Sequence, residues 1–437
     1  MHPGSVRPAG VDAPGHNSPQ ESPGTGDAEK TGDTVEQNQR PFDGLKVIDC
    51  ASFIAAPSAA TILSDFGADV IKIEPLEGDP YRELYRLPGS PEGTRNFPWE
   101  LDARNKRSLA IDLKQPDGLA VLHRLVAGSD VFVTNMPEPV RQRLKIDAGA
   151  LMPLNPRMIY ASFTAYGETG PEAGKTGFDS TAYWARSGLM DLVRADHATP
   201  PARSVAGLGD HPSGMSLYAA IVTALFQRER TGRGGLVSSS LLANGLWANS
   251  FLVQAQLSGS VVPPRPPRDR APNPLTNGYR CGDGRWLNLV VLNEARQFVP
   301  LLQALGCPEL GDDPRFATPE ARRAHHTELI AHFDRQFAQR PLAEWRTRLD
   351  AADITFGVVG TLSDIDDDEQ MRASGALVPF ADGSGLTVAT PFDVDGTIKV
   401  APRAAPAIGE HGEAILREAG YDDAQIAALR ARKILPG

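Results

Sequence analysis

Among the residues able to do chemistry, one carboxylate stands out by its surroundings. In TGFDSTAYWARSGLM, residues 176–190, Asp179 sits between Phe178 and a run of small, aromatic and aliphatic side chains. Asp ahead of Ser-Thr-Ala-Tyr-Trp-Ala fits a helix N-cap, whose first amides need an acceptor. The same place suits a carboxylate nucleophile or base, because a helix start favours negative charge. Spacing leaves both readings open. A second group is cationic: Arg104, Asn105, Lys106 and Arg107 in DARNKRSLAIDL stand just before a strand pattern. Guanidinium and ammonium groups there could hold phosphate, or form a solvated charge cluster. Lys72, in VIKIEP, lies toward the end of another strand, where an open parallel sheet binds ligands. Arg186, seven residues after Asp179, suits either a substrate carboxylate or a structural ion pair.

Other chemistries lack their residues. The turn after the first strand reads ASFIAAPS, without GxGxxG, which disfavours a nicotinamide or flavin enzyme. TGRGG at 231–235 reads as a helix stop and turn. There is no HExxH, no GxSxG and no Cys/His pair of ligand spacing, so neither a metal site nor a serine nucleophile is expected. His325 and His326 lie on a charged helix, while His197 and His211 fall in a loop-rich region as polar lining or surface. The net charge of -10 and pI near 5.5 argue against nucleic acid and anionic membranes as partners. An anionic ligand would need a local basic patch. Cys50, Cys281 and Cys307 are widely spaced and read as reduced, buried thiols of a cytoplasmic protein. The apolar run SLYAAIVTALF is far shorter than the roughly 20 residues of a membrane span.

The elements that must position these groups follow from hydrophobic periodicity. LKVIDC, ADVIKIE, RSLAIDL, DVFVTN and RMIYASFT read as strands, with helices at PSAATILSDFG and PDGLAVLHRLVAGS between them. That alternation predicts an α/β fold with a mostly parallel, Rossmann-like sheet. Residues 1–40 contain no Ile, Leu, Phe, Trp or Tyr and should form a disordered tail. The large domain would begin over 41–257, with long helices at SGMSLYAAIVTALFQRERTG and SLLANGLWANSFLVQAQLSG. Six prolines between 263 and 274 mark a linker over 258–275. A hairpin at YRCGDGRWLNLVVL and three helices form a smaller mixed α/β domain over 276–355. Residues 356–437 return to complete the large domain.

Taken in order, several motifs resemble the family III CoA-transferases, the group of formyl-CoA and carnitine CoA-transferases. They are GLKVIDCASFIAAPSAATILSDFGADVIKIEPLEGD, RNKRSLAIDLKQPDG, IYASFTAYGETGPEAGKTGFDSTAYWARSGLM, GDHPSGMSLYAAIVTALFQRERTGRGG, NPLTNGYRCGDGRWLNL, DPRF and GEHGEAIL. The resemblance covers residues 41–437. It implies that Asp179 is the nucleophile that attacks an acyl-CoA thioester, passing CoA to a carboxylic acid acceptor through aspartyl anhydride and aspartyl-CoA intermediates. Phe178, Tyr183 and Trp184 would exclude water or simply fill the core. Arg104, Lys106 and Lys72 would hold CoA, which enters as substrate with no permanently bound cofactor. Arg186 would meet a substrate carboxylate, and two copies of the chain would interlock. Gly235 and Ser238 stand where the family often has an acid and a glutamine, and the glycine gate of the formyl-CoA enzymes has no counterpart. Two alternatives remain: an alpha-methylacyl-CoA racemase or isomerase of the same superfamily, and a CoA-binding protein without turnover. The racemase histidine is missing, since residues 124–178 contain none.

Overall fold

The computed structural model describes residues 40–436; the expected tail lies outside the described residues except for Arg40. Six strands form a parallel sheet: β1 (Lys46–Asp49), β2 (Asp69–Glu74), β3 (Arg107–Ala110), β4 (Val131–Thr134), β5 (Ile159–Thr164) and β6 (Gly235–Ser240). Their order is β3-β2-β1-β4-β5-β6, the doubly wound order in which the chain reverses direction across the sheet between β1 and β4. Val47 of β1 stands beside Val70 on one side and Val131 on the other. Such a strand is covered on both faces, which is why it reads as an unbroken apolar run.

The sixth strand was not among those expected; it follows the turn read at 231–235 and shares Gly235 with it. Its sequence, GLVSSS, alternates exposed and half-buried positions along the sheet edge, so it lacks the apolar signature of the central strands. The helix expected over 240–259 is two helices, Leu241–Ala248 and Ser250–Leu257, broken at Asn249. The side chain of Asn249 donates to the Ser187 carbonyl at 2.9 Å, a tertiary bond that favours the break.

The helix Ala55–Asp65 is buried at all eleven positions, between the sheet and the long helix Asp210–Thr231. Its alanines permit close approach. A Cβ on Gly214 would lie 1.9 Å from Ser58 Oγ, so glycine is required where the two helices touch. Residues from the chain end, among them Ile415, Leu416, Ile426 and Leu429, join the core on the other sheet face. A separate apolar cluster runs from Leu275 to Ile354 around the small antiparallel sheet β7 (Gly278–Arg280), β8 (Trp286–Leu289) and β9 (Phe356–Val358). A last antiparallel pair joins β10 (Leu377–Pro379) to β11 (Leu386–Val388).

Under the carboxyl end of the sheet lies a buried ion cluster. Lys106 Nζ meets Asp49 Oδ2 at 2.8 Å and the Pro57 carbonyl at 2.8 Å, with its side chain 0% exposed. Lys72 Nζ meets Asp79 at 2.7 Å, approaches Asp49 at 3.9 Å and bonds the Ala51 carbonyl. Burial alone would raise the Asp49 pKa, but Lys106 and Lys72 outweigh it and hold Asp49 below the usual carboxylate value. Removing one member of a buried pair leaves an uncompensated charge, typically at a cost of about 3–5 kcal/mol. Lys106→Met should therefore lower the chemical denaturation midpoint by an amount of that order; an unchanged midpoint would show that Lys72 alone satisfies Asp49.

Candidate active site

A cavity of about 700 Å³ opens at the carboxyl end of the sheet. Its wall takes Ser52–Ala55 after β1, Asn135–Pro137 after β4, and Thr164 and Ala165 at the end of β5. This is the crevice beside the β1/β4 reversal, where open α/β sheets leave room for a ligand. Two reciprocal bonds tie its floor together: Ser52 N–H donates to Asn135 Oδ1 at 2.9 Å, and Asn135 Nδ2 donates to the Ser52 carbonyl at 2.7 Å. Phe53 between them has φ of 62°, a left-handed backbone uncommon for a large side chain and frequent at functional sites. Its ring meets Phe178 edge to face at 5.9 Å between centroids.

Asp179 enters this cavity from the opposite wall. It begins a π-helical turn, Asp179–Ala185, and does not cap it. Thr181 Oγ1 accepts the Phe178 amide at 2.9 Å, so the capping role falls to the threonine. The Asp179 residue is only 7% exposed, and among the described residues neither carboxylate oxygen has a hydrogen-bond partner. Gly209 presses against it so closely that an added Cβ would lie 2.3 Å from Asp179 Oδ1 and 2.4 Å from the Tyr183 ring. Burial raises the Asp179 pKa, while the nearby amides of Gly209 and Gly207 and the charge of His211 favour the ionised form in part. The carboxylate is thus desolvated yet unsatisfied, a costly arrangement in a merely structural residue.

The other residues singled out by sequence lie elsewhere. Arg104 is bound to Asp65 at 2.7 Å, and Asn105 and Thr390 share the same carboxylate. Arg104, Lys106 and Lys72 are all buried, with their head groups directed to oxygens of this chain, and none lines the cavity. Arg186 is mostly exposed, 3.6 Å from Glu172, and does not line the cavity either. Tyr183 and Trp184 belong to the core, and of the three aromatic residues only Phe178 faces the cavity. The one Lys or Arg on the cavity wall among the described residues is Lys175, paired with Glu172 at 2.9 Å.

Sequence reasoning missed four groups beside Asp179. Asp210 lines the same cavity at the start of the long helix. His211, left as lining or surface, joins Asp102 through Nε2 at 3.1 Å and the Gly207 carbonyl through Nδ1 at 3.1 Å. Tyr81 donates to Asp102 at 2.6 Å. Both partners of the His211 ring are acceptors, so the geometry calls for the doubly protonated imidazolium. Burial opposes that charge, but Asp102 and the Gly207 carbonyl overcome it and raise the His211 pKa. The readable signal was GLGDHPSG, two ionisable residues directly after two glycines at a helix start. Asp102 and Tyr81 reach it from segments about a hundred residues away.

The family model for CoA-transferase family III matches residues 42–412. The chain belongs to CoA-transferase family III. It is 32% identical over 402 residues to the (R)-2-hydroxy-4-methylpentanoate CoA-transferase of Clostridioides difficile, covering 90% of this chain and 99% of that protein. The cinnamoyl-CoA:phenyllactate CoA-transferase of Clostridium sporogenes is 31% identical, with 91% and 98% covered. Among solved structures, a CAIB/BAIF family protein from Brucella suis superposes with a TM-score of 0.78 at 28% identity, covering 87% of this chain and 100% of that one. In this CoA-transferase, relief of the buried carboxylate can be measured. The folded protein keeps a proton on Asp179 to higher pH than the unfolded chain does, so its ionisation costs stability above that range. Asp179→Asn should raise stability at pH 8 by about 1–3 kcal/mol, the order expected for a buried group without a partner. The gain should vanish below the pKa of an ordinary aspartate, where both states are protonated; thermal denaturation at the two pH values checks it.

Proposed function

We propose that this family III CoA-transferase moves CoA from an acyl-CoA to a carboxylic acid acceptor, with Asp179 as the attacking carboxylate. The observation that carries the reading is a buried carboxylate in a cavity wall with no hydrogen-bond partner among the described residues. An Asp179 oxygen forms a bond to the thioester carbon, the C–S bond breaks, and CoA thiolate leaves with the electron pair. The thiolate then attacks the aspartyl carbonyl of the mixed anhydride and releases the donor acid as a carboxylate. The acceptor carboxylate next attacks the aspartyl-CoA thioester, and the returning thiolate attacks the acceptor carbonyl and frees Asp179. The activated acyl bond is conserved at each exchange. Exclusion of water matters because either intermediate would hydrolyse.

The cavity wall also bears on the acceptor. Phe53, Leu84, Leu87, Met136, Phe163 and Leu241 make it largely apolar, and among the described residues Lys175 is its one Lys or Arg. We infer an acceptor with one carboxylate and an apolar side group, in keeping with the 4-methylpentanoate and phenyllactate named for the relatives. A dicarboxylate would place its second charge against aliphatic and aromatic carbon. The buried pairs of Arg104, Lys106 and Lys72 support a role in holding the sheet end in place, and the exposure of Arg186 supports a surface role. A racemase reading is weaker because both nitrogens of His211 are occupied. We further propose two interlocked copies in the cytoplasm, each chain contributing the two cores described above; Trp247, Phe251, Leu257 and Val261 form an exposed apolar face for the second copy to cover.

Mixing the protein with an acyl-CoA should yield a hydroxylamine-sensitive adduct on Asp179 by mass spectrometry. Asp179→Ala should reduce transfer by about 10³-fold or more, on the order of about 4 kcal/mol in the barrier. Transfer at the native rate in that variant would overturn the assignment. Sedimentation should give twice the chain mass of 46.8 kDa, and a monomer would contradict the interlocked pair.

A further inference from the structure

Asp210 stands out because the steps above do not use it. It lines the cavity with Asp179, one residue beyond the glycine packed onto that carboxylate. Among the described residues its side chain makes no hydrogen bond and no ion pair, although His211, the next residue, is held on two sides. Two carboxyl groups share a largely apolar cavity whose one lysine among the described residues is already paired with Glu172. Like charges so placed cannot both ionise at modest cost, and one group retains its proton.

The environment decides which one. The amides of Gly209 and Gly207 favour charge on Asp179. Asp210 faces the carboxylates of Asp179, from the π-helical turn, and Asp102, from the end of the helix Phe97–Asp102. Tyr81, from the turn Pro80–Arg86, gives its hydroxyl to Asp102 and so leaves Asp210 without it. The imidazolium of His211 and the helix start both favour the ionised form of Asp210. Burial and the charge of Asp179 outweigh them and push its pKa up to about 7.

We propose that Asp210, beside the imidazolium of His211 that Asp102 and Gly207 hold, is a catalytic residue that acts as a neutral hydrogen-bond donor to the carbonyl oxygen of the acyl group under attack. The proposal rests on the reading of Asp179 as nucleophile. As the Asp179 oxygen bonds to the thioester carbon, the carbonyl electron pair moves onto oxygen, and the Asp210 O–H stabilises that oxyanion. The pair returns as the C–S bond breaks, the thiolate leaves, and Asp210 keeps its proton throughout. A carboxylic acid held neutral by its site is an effective donor of this kind.

The test compares wild type with Asp210→Asn, Asp210→Ala and His211→Gln across pH 5.5–9, with Asp179 adduct formation followed separately by mass spectrometry. Loss of the Asp210 proton should make wild-type kcat fall as pH rises through about the neutral range. Asp210→Asn carries a donor at every pH and should abolish that alkaline limb. Asp210→Ala should lose about 10²–10³-fold in kcat. His211→Gln removes a positive neighbour and should move the limb to higher pH, a shift that a merely structural role would not cause. An alkaline limb that persists in Asp210→Asn, or full activity in Asp210→Ala, would overturn the proposal while a normal adduct leaves the nucleophile standing. Absence of the adduct in wild type would overturn both.

Discussion

The arrangement of the site depends on how the chain neutralises Asp49. This carboxylate ends the central strand β1, fully buried, where water cannot help it. Lys106, one residue before β3, and Lys72, on β2, both turn inward to it. The same ammonium groups bond the carbonyls of Pro57 and Ala51, so the ion cluster fixes the strand ends together with the first turn of the helix Ala55–Asp65. That turn and the loop before it are the cavity floor. Each ion is affordable only because its partners are present at contact distance, which makes the cluster cooperative and the floor stiff.

The same solution shapes the electrostatics above the floor. Lys72 and Lys106 are neutralised beneath it, and Arg104 nearby is bound by Asp65. The cavity therefore faces ligand with Asp179 and Asp210 and one paired lysine. A positively lined pocket would hold substrate carboxylates tightly and would also stabilise the nucleophile's charge, lowering its reactivity. Here the Asp179 carboxylate meets only partial charges from backbone amides and a histidine set back against Asp102. Low dielectric and fixed dipoles favour a charge that is about to be dispersed over a transition state.

Much of this was legible in the sequence, and the reasons for success and failure are physical. The central strands announce themselves because burial on both faces demands continuous apolar runs such as VIKI and VFVT. The edge strand β6 has only one neighbour and a half-exposed face, so GLVSSS carries no such signal. Asp179 was found by its aromatic and small neighbours, yet its role as a cap was misread because Thr181, two residues later, supplies the acceptor. The cationic knot was legible as charge and not as pairing. Net charge and local clustering say that cations exist, but whether a cation faces solvent, ligand or a buried carboxylate depends on partners such as Asp49 and Asp65, dozens of residues away. Pairing is a tertiary property.

The π-helical turn carries the final constraint. An ordinary helix begun at Asp179 would let the carboxylate fold back onto its own first amides and be neutralised as a cap. The wider turn, with Thr181 bonded to the Phe178 amide, removes that option. Gly209 then closes on the carboxylate from the opposite side, and only a residue without a side chain can approach so nearly. The result is a buried acid denied each of the local partners a stable fold would offer it. Strain of this kind persists only where the surrounding core over-determines it, and here Tyr183 and Trp184 anchor the turn in the largest apolar cluster against the sheet. Stability given up at one carboxylate is thus recovered in the packing four and five residues on, and the buried acid and its anchor are parts of the same seven residues.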